Sequence, residues 1–221
     1  MLNKHKIVQL TRIPYTSLAA EPLLGVYTVV YFDDILLYSK SLNDHVEHLR
    51  RVFELLREYK FYANTKKCTF AIDHMGFLGY VISAEGIKID SSKVQAILEW
   101  PIPKSVNEVR NFHGLATFYR RLIHNFNSIA APLTNFLKQN NLIWSIQANG
   151  SFAALKKALT TAPVLQVLNF EKTFELDTYA SIHGIGEVLS QESKLIAYFS
   201  EKLSGAKLNY CTYDLKFYAT V

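Results

Sequence analysis

Val26-Tyr27-Thr28-Val29-Val30-Tyr31-Phe32-Asp33-Asp34-Ile35-Leu36-Leu37-Tyr38-Ser39 is apolar on both sides of an adjacent pair of aspartates. Two short β-rich runs around a two-residue turn predict a hairpin with Asp33 and Asp34 at its tip. Those turn residues are costly. Two-residue hairpin turns favour Asn-Gly or Asp-Gly for backbone reasons, and neighbouring carboxylates disfavour each other's ionised form. A divalent cation offsets that cost, because Mg²⁺ takes hard carboxylate oxygens and leaves positions open for phosphates. Rigid flanking strands would hold such ions where an in-line phosphoryl transfer needs them. The alternative is a solvated acidic turn; the apolar strands on both sides favour the metal.

Outward from this hairpin, Ser41 with Asp44 three residues on is a capping-box signature. The helix it opens carries Val46, Leu49, Phe53 and Leu56 at helical spacing. His45 and His48 lie i, i+3 on it without a third ligand nearby, and read as surface. Cys68–Ile72 and Phe77–Ser83 read as strands, with Ala84-Glu85-Gly86 as a turn. Ser91 or Ser92 caps a short helix that Trp100-Pro101-Ile102-Pro103 ends, and this proline pair is the best candidate for a subdomain boundary. Ser105 and Glu108 form a second capping box. Their helix is expected to run to about Asn125, with Val109, Phe112, Leu115, Tyr119 and Leu122 in one stripe. Further helices are expected at Ile129–Leu137 and, after the turn signal Asn149-Gly150-Ser151, at Phe152–Leu159, before Pro163. Strands follow at Thr173–Asp177, Ile185–Ser190 and Leu195–Ser200. A last helix begins near Thr212 and is expected to be cut short by the end of the chain. Residues 1–20 show no pattern and stay unassigned.

The bulk composition agrees with a folded chain. Of 221 residues, 49% are hydrophobic and 19% charged, the balance of a globular protein rather than a disordered one. Lys and Arg number 24 against 19 Asp and Glu, for a net charge of +5, which suits a phosphate-bearing partner without demanding one. The 13 Tyr and 14 Phe offer faces that stack on bases, although most aromatics are core. Cys68 and Cys211 form no ligand or redox spacing and read as buried thiols in a reducing compartment. No apolar run approaches the roughly 18 residues of a membrane helix. Lys4, Lys6 and Arg12 precede too short an apolar stretch for a secretory signal. The compartment stays unknown.

The stretch Tyr31-Phe32-Asp33-Asp34-Ile35-Leu36-Leu37-Tyr38-Ser39 resembles the paired-aspartate motif of reverse transcriptases, and more specifically the Ty3/gypsy class of long-terminal-repeat retrotransposon polyproteins. The resemblance continues through Asp44-His45-Val46-Glu47-His48-Leu49, Tyr62-Ala63-Asn64-Thr65-Lys66-Lys67-Cys68 and Phe77-Leu78-Gly79-Tyr80-Val81-Ile82-Ser83. It extends to Val109-Arg110-Asn111-Phe112-His113-Gly114-Leu115, Thr161-Ala162-Pro163-Val164-Leu165 and Ile196-Ala197-Tyr198-Phe199-Ser200-Glu201-Lys202-Leu203. Order and spacing hold from about residue 21 onward.

The resemblance implies an α+β fold. Residues 21–90 correspond to the C-terminal part of a polymerase palm, 91–140 to thumb-like helices and 141–170 to a connection. Residues 171–221 correspond to the opening of a ribonuclease H-like mixed α/β domain. It implies Asp33 and Asp34 as catalytic metal ligands for Mg²⁺ or Mn²⁺, with Tyr31 beside them. Phe77-Leu78-Gly79-Tyr80 resembles the primer grip, a hairpin, and the plain reading of these residues, a core strand with a glycine that permits close backbone approach, is compatible with it. Lys66 and Lys67, and Arg120 and Arg121 on the thumb-like helix, are candidate phosphate contacts to an RNA/DNA template–primer duplex.

The departures are specific. The family's third palm aspartate lies upstream of the pair, yet residues 1–30 contain no Asp, and Glu21 lies too close to the hairpin to replace it. The fingers are absent, which makes the upstream palm and fingers a possible partner. Family members read Thr-Asp-Ala-Ser where this chain has Thr178-Tyr179-Ala180-Ser181. They read Tyr-Asp-Lys-Glu where it has Tyr213-Asp214-Leu215-Lys216. Tyr179 and Lys216 thus replace two metal-binding carboxylates, and metal binding there is not expected. Two readings follow: a magnesium-dependent RNA-directed DNA polymerase, or a derived chain with weak or no metal binding. The second at most binds nucleic acid or serves as a structural interaction protein.

Overall fold

The computed structural model describes residues 6–10 (main chain only), 27–31, 34–139, 144–182 and 184–220. Two compact units divide the chain, residues 1–85 and 86–221.

In the first unit, β1 (Lys6–Leu10), β2 (Thr28–Tyr31), β3 (Asp34–Ser39) and β4 (Thr69–Ile72) form a sheet of order β2-β3-β1-β4. Every pairing in it is antiparallel. β1 was unassigned by pattern, and its partners are distant in sequence: Lys6 pairs with Ser39 and Ile7 with Ile72. Helix α1 (Leu42–Glu58) starts on the expected cap, with Asp44 N donating to Ser41 Oγ at 3.1 Å. Its inward face differs from the predicted one. His45, Val52, Leu55 and Leu56 are buried, whereas Val46 and Phe53 are 51% and 38% exposed. The run Phe77–Ser83 is two strands rather than one, because β5 (His74–Phe77) and β6 (Tyr80–Ser83) turn at Leu78-Gly79.

In the second unit, β7 (Gly86–Ile89) forms a bridge between Ile87 and Leu165. Helix α2 (Ser91–Leu98) is capped by Asp90, not by a serine: the Asp90 carboxylate accepts from Ser92 N at 2.8 Å. Helix α3 (Val106–Phe118) ends earlier than expected, and a 3-10 turn, Arg120–Leu122, follows. Helices α4 (Phe126–Gln139) and α5 (Ile146–Thr160) are both longer than the sequence suggested. Asn149-Gly150 lies inside α5, whose cap is Ser145. Ala148, Phe152, Leu155 and Leu159 are buried at helical spacing, and that packing overrides a turn signal. Phe112 at the centre meets Phe152 at 4.5 Å and Trp100 at 5.7 Å between ring centroids.

The remainder is an antiparallel sheet, β8 (Glu175–Ser181), β9 (Gly184–Gln191) and β10 (Lys194–Lys202), in order β10-β9-β8. Helix α6 (Thr212–Tyr218) begins where expected, with Ala219 as its C-terminal cap. Ile185, Leu203, Leu215 and Ala219 form the core between helix and sheet. No helix among the described residues is long and apolar enough to cross a membrane.

Candidate nucleic-acid and metal site

β3 is the element that positions the candidate site. Ile35 and Leu37 are fully buried against Val52, Leu55 and Leu56 of α1. Leu36, pointing the other way, is buried with Met75 and Phe77. A strand covered on both faces reads as a continuous apolar run, which is why Ile35-Leu36-Leu37 shows no alternation. Asp34 is the first residue of this clamped strand. It is half-buried and paired with Tyr31, so it belongs to β3 rather than to the turn where it was expected. Phe32 and Asp33 lie outside the described residues.

The Leu36–Met75–Phe77 cluster joins two parts that the sequence treated separately. Phe77 pairs with Tyr80 in the β5–β6 hairpin, so the hairpin is packed onto the strand that opens with Asp34. Leu78 at φ +52° and Gly79 at φ +79° make its turn. Both central residues have positive φ, the requirement of a type I′ turn. Glycine at 79 is therefore needed for its φ, and the hairpin replaces the core-strand reading of Phe77–Tyr80.

His45 is not a surface residue, and His48 is half-buried. His45 is buried, its Nδ1 lies 3.1 Å from Ser39 Oγ, and His48 Nδ1 lies 2.9 Å from the same oxygen. His48 also stacks on Tyr27 at 3.7 Å and 3° between planes. One hydroxyl at the end of β3 thus fixes the first turns of α1. The histidine spacing alone carried no sign of that serine.

Lys66 and Lys67 are exposed on a 3-10 turn, Thr65–Lys67, which Asn64 caps by accepting from Lys66 N at 3.2 Å. Arg120 and Arg121 belong to the second unit. They sit on the 3-10 turn after α3, not on the helix, and line a groove of about 300 Å³. Glu187, Leu176, Leu189 and the Ala197–Ser200 stretch form its other wall. Burial, and the nearby Glu201 carboxylate, push the Glu187 carboxyl above its ordinary value. Tyr179, 57% exposed on β8, and Lys216, exposed on α6, are on adjacent packed elements. Lys207 Nζ donates to Glu201 at 2.8 Å and also to Tyr218 of α6. Among the described residues no group of three or more His, Cys, Asp or Glu could hold a metal; Asp33 is not among them.

Comparison with known proteins agrees with this architecture. Residues 5–82 match the family described as reverse transcriptase (RNA-dependent DNA polymerase), and residues 144–221 match the RNase H-like domain found in reverse transcriptase. The first match begins at residue 5, so the family likeness includes β1 and part of the stretch left unassigned. The chain is 37% identical over 202 residues to the retrovirus-related Pol polyprotein from transposon 297 of Drosophila melanogaster, covering 90% of this chain and 19% of that one. It is 35% identical over 211 residues to the Pol polyprotein from transposon gypsy of the same organism, covering 90% and 20%. The chain spans about a fifth of the length of these relatives. A foamy viral protease-reverse transcriptase, solved in complex with an RNA/DNA hybrid, matches all of this chain and 36% of its own at a TM-score of 0.84 and 19% identity. The chain belongs to the reverse transcriptase and RNase H-like part of the gypsy-type retrotransposon Pol polyproteins.

Proposed function

We propose that this segment is the metal- and primer-holding part of an RNA-directed DNA polymerase. As a 221-residue chain it binds template–primer duplex without extending the primer or cutting RNA. In this reading residues 21–90 are palm, 91–140 thumb, 141–170 connection and 171–221 an RNase H-like part. The supporting observation is the Leu36–Met75–Phe77 packing, which ties the strand opening with Asp34 to the type I′ hairpin at Leu78-Gly79.

Asp34, with Asp33 before it, would hold Mg²⁺ or Mn²⁺. Carboxylate oxygens fit such hard ions, and the buried strand behind Asp34 limits how far its side chain can wander. When bound, the ion supplies charge neutralisation for phosphoryl transfer. The Phe77–Tyr80 hairpin orients the primer end, with Tyr31 beside the aspartates. Lys66, Lys67, Arg120 and Arg121 hold phosphates. Two carboxylates bind the ion weakly. No aspartate precedes Asp33 in this sequence, which offers the ion this pair of carboxylates. In the RNase H-like part, a phenol at Tyr179 and an ammonium at Lys216 stand where the family has carboxylates. That exchange removes two negative charges and adds a positive one, which disfavours a cation.

Duplex binding and primer extension, measured together on the full chain, test this. Binding should weaken as salt rises, with a log–log slope of about −0.9 per phosphate contact. Lys66→Ala with Lys67→Ala should flatten that slope by roughly two contacts' worth. No extension and no hybrid cleavage are expected. Mg²⁺-dependent extension that Asp34→Asn abolishes would restore the enzymatic reading for the chain alone. Salt-independent binding would remove the phosphate contacts from the account.

A further inference from the structure

An α-helix leaves its first N–H groups without partners inside the helix, and a side chain just ahead of it usually supplies the cap. Helix α4 is held differently. Ser128 N and Ile129 N donate to Asn125 O at 3.1 and 3.2 Å. Asn125 reverses the chain at φ +55°, a value that asparagine tolerates. Asn127 N donates instead to Ser200 Oγ at 3.1 Å, on β10 and 73 residues away. The Asn127 side-chain amide donates to the Ser200 carbonyl oxygen. Two bonds between the same two residues fix both a distance and an angle between helix and strand.

The same corner carries Arg120 and Arg121. Their 3-10 turn is closed by two main-chain bonds, Leu122 N to Tyr119 O at 3.0 Å and Ile123 N to Arg120 O at 3.1 Å, of the poorer geometry such turns have. Leu122 and Ile123 are buried, and His124 meets the Tyr198 ring edge-on at 5.2 Å. Both arginines are exposed and line the groove whose other wall includes Tyr198, Phe199 and Ser200. Where the guanidiniums stand therefore depends on how residues 122–127 are seated on β10, and the Asn127–Ser200 pair gives that seat its direction.

We propose that Asn127 is a positioning residue for duplex binding. Clipped to Ser200, it seats the Arg120–Arg121 turn on β10, so that both guanidiniums meet a phosphate backbone at a fixed place beside the RNase H-like sheet. The proposal rests on the phosphate role given above to the two arginines. On an unseated turn they would keep their charge but would be ordered only at the moment of binding, which costs affinity. Asn127 touches no phosphate itself, so its effect passes wholly through Arg120 and Arg121.

A double-mutant cycle on the 221-residue chain tests this. The parent, Asn127→Ala, Arg120→Ala with Arg121→Ala, and the triple change are each titrated with a labelled RNA/DNA hybrid over a range of salt. Asn127→Ala should weaken binding by about tenfold and flatten the salt slope by up to about two contacts' worth. Without the two arginines it should change affinity by less than about twofold. A change that merely loosened the fold would weaken binding in both backgrounds alike. Ser200→Ala removes one acceptor and leaves the carbonyl, so it should act in the same direction and less. Hydrogen exchange at the Leu122 and Ile123 amides, read without nucleic acid, should quicken in Asn127→Ala. Binding indifferent to Asn127→Ala, equal weakening in both backgrounds, or unaltered exchange at those amides would overturn the proposal while the phosphate reading stood. Arginine replacements without effect on affinity or slope would overturn the phosphate reading, and the role of Asn127 with it.

Discussion

Replacing Gly86 by alanine should destabilise the second unit by about 4–5 kcal/mol, a sum of separate costs. Gly86 sits at φ +133°, where a new Cβ would stand 2.1 Å from the Leu165 carbonyl oxygen and 3.0 Å from Val164 Cγ1. That carbonyl is not free to retreat. Ile87 N donates to Leu165 O, and Leu165 N to Ile87 O, both at 2.8 Å. Relief breaks both bonds, at about 1 kcal/mol each. Leu165, only 7% exposed, loses part of its burial, about 1 kcal/mol more. A side chain at this φ costs roughly another 1–2 kcal/mol. The only two tryptophans, Trp100 and Trp144, lie in this unit and pack edge-on against Phe112, Phe136 and Phe152, so indole emission reports its unfolding. Urea titration should show a lower midpoint at unchanged slope. A thermal scan should show a loss of about 10 °C or more. A Gly86→Ala variant within about 1 kcal/mol of the parent would refute the reasoning, because the clash costs more than that however the strain is shared.

Gly114→Ala in α3 and Gly150→Ala in α5 should do the opposite. A Cβ at either meets nothing within 4 Å, so each should stabilise by roughly 0.5–1 kcal/mol in the same urea assay. A third prediction concerns pH. Burial holds the His113 imidazole below its ordinary value of 6.5, and its ring nitrogens face Thr134 Oγ1 at 3.0 Å and Thr117 Oγ1 at 3.4 Å. The folded state favours the neutral ring, so this contribution is complete above pH 6.5 and lost as pH falls through the depressed folded value. Tryptophan-detected stability should decline over that window. His113→Gln should remove the decline, and an unchanged profile in that variant would place its source elsewhere.

Local signals located elements well where their partners were local. Ser41 with Asp44, and Ser105 with Glu108, were readable because a cap is satisfied within three residues. The strand content of β8–β10 was legible for the same reason, since consecutive hairpins carry their own turn residues. β1 was not. Lys6–Leu10 pairs with β3 and β4, partners that no local pattern discloses. Helix α1 misled in another way, because it has two apolar stripes. Spacing ranks Val46 and Phe53 with Leu49 and Leu56, but what a helix buries depends on the sheet beneath it. Here Ile35 and Leu37 select Val52, Leu55 and Leu56.

The candidate site was legible as a motif, but its support was not. Tyr31 to Ser39 announced a hairpin with carboxylates, yet only the structure brings Leu36 against Met75 and Phe77 and shows that β3 is held from both sides. This difference in support bears on which changes the fold tolerates. Asp34 is half-buried at the head of a strand whose next three residues are core, so a bulky replacement there would press on the packing that orients the hairpins. Tyr179 and Lys216 are exposed, and the nearby core of Ile185, Leu203, Leu215 and Ala219 includes neither. A phenol and an ammonium at those positions therefore change the charge of the surface without reaching the interior, where large losses of stability arise. An RNase H-like fold can persist with either kind of side chain at those positions. A change of charge at an exposed position leaves no mark on secondary structure, which is why Tyr179 and Lys216 had to be read from residue identity rather than from the fold.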